Sequence, residues 1–299
     1  MSEMTSETPG ARLRKTVEAR QAFLVPGVMN ALAARVADDL GFEALYVTGA
    51  GVTNAYLGLP DAAFLGLTDL VGHVAAIREV TDRPLIVDAD TGFGNAVNVW
   101  HSVRRLERAG ANAIQLEDQA APKRCGHFEG KSVVEASEMV EKVRAACEAR
   151  SSSDLLIVAR TDAYATEGLE AALTRAERYI AAGADITFVE APRQVEEIAE
   201  IVRRLPVPQL VNLVIGGKTP PIPQAILQEL GVGMVLYANA ALQGAIAGMQ
   251  QALSTLQAEG RMTEADGLVA SFTERQRLVG KPLLDGLEAR YAVREDGAA

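Results

Sequence analysis

AGANAIQLED, residues 109 to 118, holds the joint on which the fold turns. Ala109-Gly110 suits the end of a helix, because glycine takes the left-handed residue that stops one. A short apolar run follows, Ala113-Ile114-Gln115-Leu116, and closes on the acids Glu117 and Asp118. Leu40-Gly41, Ala182-Gly183 and Leu230-Gly231 each stand in the same way just ahead of a strand-like run. Eight such runs can be counted: 22–25, 44–47, 85–88, 113–116, 155–158, 186–189, 209–211 and 234–237. Longer amphipathic stretches separate them, the pattern of a parallel sheet wrapped by helices. One βα unit used many times predicts an α/β fold of the (β/α)8 barrel type, with additional helices at the C-terminus. Ser151-Ser152-Ser153 reads as a loop within that series.

With 299 residues and 48% hydrophobic content the chain can bury a large core. The formal charge of -10, without a long basic run, argues against nucleic acid or an anionic membrane as partner. Two cysteines, no export signal and no apolar stretch of roughly 20 residues predict a reduced, cytoplasmic protein. Residues 1–10 are expected to be a flexible N-terminus and 11–299 a single barrel domain. Within it, 240–299 would form C-terminal helices in oligomer contacts, since a barrel needs one helix there and the surplus is apolar.

A barrel of this type carries its chemistry at the C-terminal ends of its strands. Those ends read Tyr46 with Thr48-Gly49-Ala50-Gly51, Asp88 and Asp90, Glu117 and Asp118, Arg160 and Asp162, Glu190, and Asn212. One charged strand end is unremarkable; polar groups at most of them imply a shared site. Asp88-Ala89-Asp90 would set two carboxylates on one face by the pleat, and hard oxygen ligands suit Mg²⁺ or Mn²⁺. Glu117 could complete that shell directly or through water, with Asp61 a weaker ligand; taken alone, the pair could equally cap a solvated turn. PKRCGHFEGK, residues 122 to 131, places Cys125 among Lys123, Arg124 and His127, cations that favour the thiolate. Gly126 and Gly130 would let this segment bend and act as a lid.

These residues together resemble the isocitrate lyase and phosphoenolpyruvate mutase superfamily. The resemblance covers nearly the whole chain, through the YVTGAG run at 46–51, Asp61, DADTGFG at 88–94, QLEDQ at 115–119, the PKRCGH loop, ARTDA at 159–163, Glu190 and Asn212. The loop is similar to that of the carbon-carbon lyase branch, such as the dimethylmalate and methylisocitrate lyases and the petal death protein. What this implies is a Mg²⁺-dependent lyase that splits a 2-hydroxy dicarboxylate into a 2-oxo acid and a carboxylate. Asp88, Asp90 and Glu117, with Asp61, would hold the metal, and Arg160 would pair with the substrate's oxygens. Cys125 would protonate the leaving carbon, with Lys123 and His127 beside it, and Tyr46 would take the hydroxyl proton. Thr48, Gly49, Ala50, Glu190 and Asn212 would bind substrate. Two other outcomes stay open: oxaloacetate hydrolysis or decarboxylation or phosphonate chemistry on the same scaffold, and a barrel that binds a diacid without turning it over. The resemblance also implies a homo-oligomer, a dimer or tetramer with swapped helices.

Gln115 stands where isocitrate and methylisocitrate lyases have histidine, and Val214-Ile215 where the latter have a Thr-Glu pair. Losing those partners would leave a third carboxylate unpaired, which disfavours tricarboxylates. Ile215 and Ala238 are further departures, both apolar, that suit an alkyl group or a different acid, or else a neutral exchange of a buried polar residue for a well-packed apolar one. His73, His101, Trp100 and Cys147 fall in predicted helices and are expected to pack.

Overall fold

The computed structural model describes residues 7–123 and 130–292. The chain divides into two compact units, Met1–Leu242 and Gln243–Ala299.

In the first unit eight parallel strands form one sheet: β1 (Phe23–Val28), β2 (Leu45–Val47), β3 (Leu85–Asp88), β4 (Ala113–Glu117), β5 (Leu156–Thr161), β6 (Ile186–Val189), β7 (Leu210–Asn212) and β8 (Met234–Tyr237). Their order is β6-β5-β4-β3-β2-β1-β8-β7. A parallel bridge between Thr187 and Gln209 brings the two outer strands together. The Thr187 amide donates to the Pro208 carbonyl at 3.2 Å, and its hydroxyl to Gln209 Oε1 at 2.9 Å. The sheet is thus a nearly closed barrel, as the eight runs predicted. β1 runs three residues further than its apolar stretch, because a glycine lets it pass β8: a Cβ at Gly27 would lie 1.8 Å from the Ala238 carbonyl oxygen.

All four predicted helix stops adopt the left-handed conformation, with φ of 84° at Gly41, 109° at Gly110, 112° at Gly183 and 81° at Gly231. A side chain there would strain the backbone, and for that reason the stops recur.

The pleat then sorts the strands into two faces. Phe23, Val25, Tyr46, Ile86, Ala113, Val158, Phe188, Leu210 and Leu236 form one buried cluster that fills the barrel. Val211, Leu213 and Val235, of opposite parity, pack with Ile198 and Leu227 of the surrounding helices. Each such side chain removed from water contributes about 1.5–3 kcal/mol. A helix at Pro9–Glu18 reaches the inner cluster through Leu13 and Val17. It is capped by Thr8, whose side chain accepts from the Ala11 amide at 3.1 Å. This helix takes in Pro9 and Gly10, and a cap, a proline at the first turn and two buried apolar residues fix it.

The second unit is helical. The helix Ala240–Glu259 leads into it, and Phe272–Leu278 and Lys281–Tyr291 follow. Met249, Leu253, Phe272, Leu283 and Tyr291 are exposed on it. Among the described residues no helix is long and apolar enough to cross a membrane.

Candidate active site

Two or four steps along each strand from the inner cluster lie the polar groups. Ile86 leads to Asp88, Ala113 to Gln115 and Glu117, Val158 to Arg160, Phe188 to Glu190, and Leu210 to Asn212. Parity alone aims them into the mouth of the barrel, and all are buried.

One side of the mouth is acidic. β3 ends at Asp88, and the backbone turns left-handed at Asp90, φ 48°. The two carboxylates therefore meet through a turn, stabilised by the Asp90 amide donating to Asp88 Oδ1 at 3.2 Å, and not through the pleat as expected. Gln115 Nε2 donates to the same Asp88 oxygen at 3.2 Å, and the Tyr46 hydroxyl donates to Gln115 Oε1 at 2.8 Å. That relay fixes Asp88 and leaves Oδ2 facing Gly49. A Cβ at Gly49 would lie 3.3 Å from Asp88 Oδ2 and 3.3 Å from Asp90 Oδ1, so glycine keeps open a space bordered by two carboxylate oxygens. Burial pushes the Asp90 carboxyl up, Lys123 offsets part of this, and Asp88 adds to it, for a value of about 7. Glu117 is pushed well up by burial, against the pull of Arg160, and its Oε1 has no hydrogen-bond partner among the described residues.

Two strands further round, the end of β5 is built on Arg160. Its Nε and Nη2 hold Asp162 at 2.9 and 3.1 Å, a bidentate fork. Nη1 faces Glu117 Oε2 at 3.3 Å and Nη2 faces Glu190 Oε1 at 3.8 Å. Lys131 Nζ donates to Asp162 Oδ1 at 2.6 Å, so one fully buried carboxylate carries two cations. Burial pushes the Asp162 carboxyl up, but Arg160 and then Lys131 outweigh it and hold it below its ordinary value of 3.8. Asp162 is among the polar strand ends read from the sequence but has no role of its own there, and Lys131 has none. The spacing Arg-x-Asp was the available signal for the first; the second is distant in sequence and gave none.

Asp118, adjacent to Glu117, has the other parity and a different task. It accepts from the Thr161 hydroxyl (2.7 Å), the Asp162 amide (2.9 Å) and the Tyr179 hydroxyl (2.8 Å). It ties β4 to β5 and to the helix Leu169–Ala181 outside the barrel.

Lys123 is buried and lies between Asp61 Oδ1 at 2.6 Å and Asp90 Oδ1 at 2.7 Å, the latter an ion pair without hydrogen-bond alignment. Asp61 is thus brought to the acidic side, with Lys123 between it and Asp90. Cys125 and His127 lie outside the described residues, which resume at Gly130. Thr48 caps the short helix Gly49–Val52 by accepting from the Gly51 amide at 3.2 Å. Gly49 and Ala50 open that helix, where leading amides have no carbonyl partner. The Asn212 Oδ1 is buried without a partner among the described residues.

Burial, and then Asp88, push the Tyr46 phenol well above its ordinary value. Its raised proton affinity favours the protonated form, and the hydroxyl is placed as a donor to Gln115. Ala238 packs against the inner cluster. Ile215 is 54% exposed on the loop after β7, beside a cavity of about 330 Å³ lined by Leu213, Thr219 and Tyr237. His73 and His101 are helical, and His73 meets Tyr56 edge-to-face. Trp100 is half-exposed under Arg104, and Cys147 donates to the Gly183 carbonyl, so neither belongs to the mouth.

Among the described residues no three acidic, histidine or cysteine side chains converge tightly enough to enclose an ion alone. A partial oxygen face beside an open gap suits Mg²⁺, which keeps waters and takes its other ligands from substrate. Buried acids of raised proton affinity beside a fixed guanidinium define an α/β-barrel site for a small, multiply anionic molecule.

The phosphoenolpyruvate phosphomutase family profile matches residues 13–257. The chain belongs to the phosphoenolpyruvate mutase and isocitrate lyase superfamily. It is 40% identical over 282 residues to the 2,3-dimethylmalate lyase of Eubacterium barkeri, covering 94% of this chain and 98% of that one. It is 42% identical over 274 residues to the 2-methylisocitrate lyase of Aeropyrum pernix, covering 92% and 88%. Among solved structures, a phosphonopyruvate hydrolase in complex with oxalate and Mg²⁺ superposes with a TM-score of 0.86 at 30% identity, covering 95% of this chain and 99% of that one.

Proposed function

We propose that the chain is a Mg²⁺-dependent carbon-carbon lyase that cleaves a 2-hydroxy dicarboxylate, of alkylmalate or methylisocitrate type, into a 2-oxo acid and a carboxylate. The observation that carries this reading is the placing of two poles at one barrel mouth on strands two apart: Asp88 and Asp90 around the gap at Gly49, and Arg160 gripped by Asp162. The lyase names of its relatives support it.

Asp88 and Asp90 would hold the divalent cation, which when bound supplies Lewis-acid polarisation of the substrate's hydroxyl and neighbouring carboxylate. Arg160 offers Nη1 and Nη2 to carboxylate oxygens, already oriented by Asp162 and so without rearrangement during reaction. Asn212, with its buried amide oxygen unpaired, accepts a hydrogen bond from the substrate. Neutral Tyr46 acts through Gln115 to hold Asp88 in register. The hydroxyl gives its proton to a carboxylate of the acidic side, Glu117, whose Oε1 has no hydrogen-bond partner among the described residues and whose proton affinity burial raises; as that oxygen becomes a carbonyl, the adjacent carbon-carbon bond breaks. Its electron pair passes to the departing carbon, as an enediolate, and Cys125 gives that carbon a proton. Gln115 and Ala238 place no charge where a third carboxylate would need one, which favours alkylmalates. The exposed apolar residues of Gln243–Ala299 are read as a self-association face, giving a dimer or tetramer.

The test is a product screen of 2-hydroxy diacids with Mg²⁺. Equimolar 2-oxo acid and carboxylate are expected; oxalate with acetate from oxaloacetate, or inorganic phosphate from phosphonopyruvate, would move the chain to the other chemistries of the scaffold. Binding of a diacid with no product at all would make it a non-catalytic barrel.

A further inference from the structure

Lys123 touches the very oxygen that faces the gap at Gly49. Asp90 Oδ1 lies 2.7 Å from Lys123 Nζ, and 3.3 Å from the point a Cβ at Gly49 would occupy. The ammonium is only 5% exposed, so water screens it little. A divalent ion bound to that oxygen and an ammonium in ion-pair contact with it would be adjacent like charges in a water-poor pocket. One must yield. Lysine is a compact charge on a flexible stem and can move, but a buried ammonium that gives up its partner is costly unless another acceptor is at hand. Asp61 Oδ1, at 2.6 Å from the same nitrogen, is that acceptor.

We propose that Lys123 and Asp61 form an exchange pair for cation entry: Lys123 competes with the divalent ion for Asp90, and Asp61 receives the ammonium when the ion binds. Asp61 is then not a ligand. It lowers the cost of displacing Lys123, and both are positioning residues toward the metal. The inference rests on the reading that Asp88 and Asp90 hold a divalent cation.

Calorimetric titration of Mn²⁺ and Mg²⁺ into the full chain at neutral pH tests it, with Lys123→Met, Asp61→Asn and the double variant. Lys123→Met is expected to bind at least about tenfold more tightly than wild type, the equivalent of about 1.4 kcal/mol. Asp61→Asn is expected to weaken binding while Lys123 is present, and to change it by less than about twofold in the Lys123→Met background, the scatter of independent sites. Equal or weaker binding by Lys123→Met overturns the proposal, as does an Asp61→Asn loss of the same size in both backgrounds, which would make Asp61 a ligand. Absence of Mn²⁺ binding by wild type and every variant would instead remove the metal reading beneath it. Lys123→Gln, which keeps a hydrogen-bond donor for Asp61, carries the same expectations if Lys123→Met does not fold.

Discussion

Asp162→Asn removes one charge and leaves shape almost unchanged, so it isolates what the buried carboxylate does. Asp162 is fully buried and receives Arg160 Nε at 2.9 Å, Arg160 Nη2 at 3.1 Å and Lys131 Nζ at 2.6 Å. Removing one partner of a buried ion pair costs about 3–5 kcal/mol, because the remaining charge is left uncompensated. Here two cations remain, while the amide oxygen still accepts one bond, so about 3 kcal/mol is expected at neutral pH. The surface pair Arg203–Glu200 is no longer, at 2.6 Å, yet Arg203 is 71% exposed; Glu200→Gln should leave stability unchanged within error, since water and salt already screen that pair. Function should follow stability at the deeper site. Without its fork Arg160 is free to lean toward Glu117 and Glu190, and a displacement of about 1 Å can cost on the order of a hundredfold in kcat/KM. The pH dependence has a definite sign. The Asp162 carboxyl is held below its ordinary 3.8, so its contribution is fully present above that value and is lost as pH falls through the folded value. Asparagine takes up no proton there, and the gap between wild type and variant should narrow in acid. Urea unfolding across the acid range, with kcat/KM at neutral pH, measures both. A gap below about 1 kcal/mol at neutral pH, the size of an ordinary hydrogen bond, or one that widens in acid, refutes the reasoning.

Tyr46→Phe separates an orienting donor from a base: loss of the bond to Gln115 should cost about 1 kcal/mol of stability and about tenfold or less in kcat, whereas a base role requires a loss of about a hundredfold or more. Gly49→Ala puts a methyl 3.3 Å from Asp88 Oδ2 and Asp90 Oδ1; titration with Mn²⁺ should show affinity falling about tenfold or more, the scale of outer-shell disruption, while thermal unfolding moves little, because Gly49 is helical and alanine fits a helix. Unchanged affinity would show that the gap is not where the ion sits. Cys125→Ser should lower cleavage by about 10²–10⁴, the usual worth of general acid catalysis, and leave diacid binding intact by calorimetry; wild-type turnover in that variant removes the thiol as proton donor.

The barrel was legible because its signals are local. Glycine at 41, 110, 183 and 231 marks helix ends by a conformation that side chains avoid, and β-branched runs mark the strands between. Most candidate site residues were legible for a related reason, since the barrel gives strand ends a common address. What failed to show was whatever depends on one dihedral or on distant partners. Asp88 and Asp90 looked like pleated neighbours, yet a left-handed Asp90 brings them together. Glu117 and Asp118 stand side by side at one strand end, and the pleat sends one into the mouth and the other to Tyr179. Lys131 reaches Asp162 across 31 residues, and Lys123 reaches Asp61 across 62, contacts that no periodicity announces. Tyr46 reads as a base from its strand end alone, whereas its burial and its bond to Gln115, which favour the protonated form, depend on distant partners.

The central claim is that a divalent cation at Asp88 and Asp90 and the guanidinium of Arg160 act together on one 2-hydroxy diacid. Release of 2-oxo acid from an alkylmalate, followed for the wild-type chain in Mg²⁺ and again in excess chelator, tests it most directly. Turnover that disappears with chelator and returns with added Mg²⁺ is the predicted result; 2-oxo acid released at the same rate in chelator would contradict it.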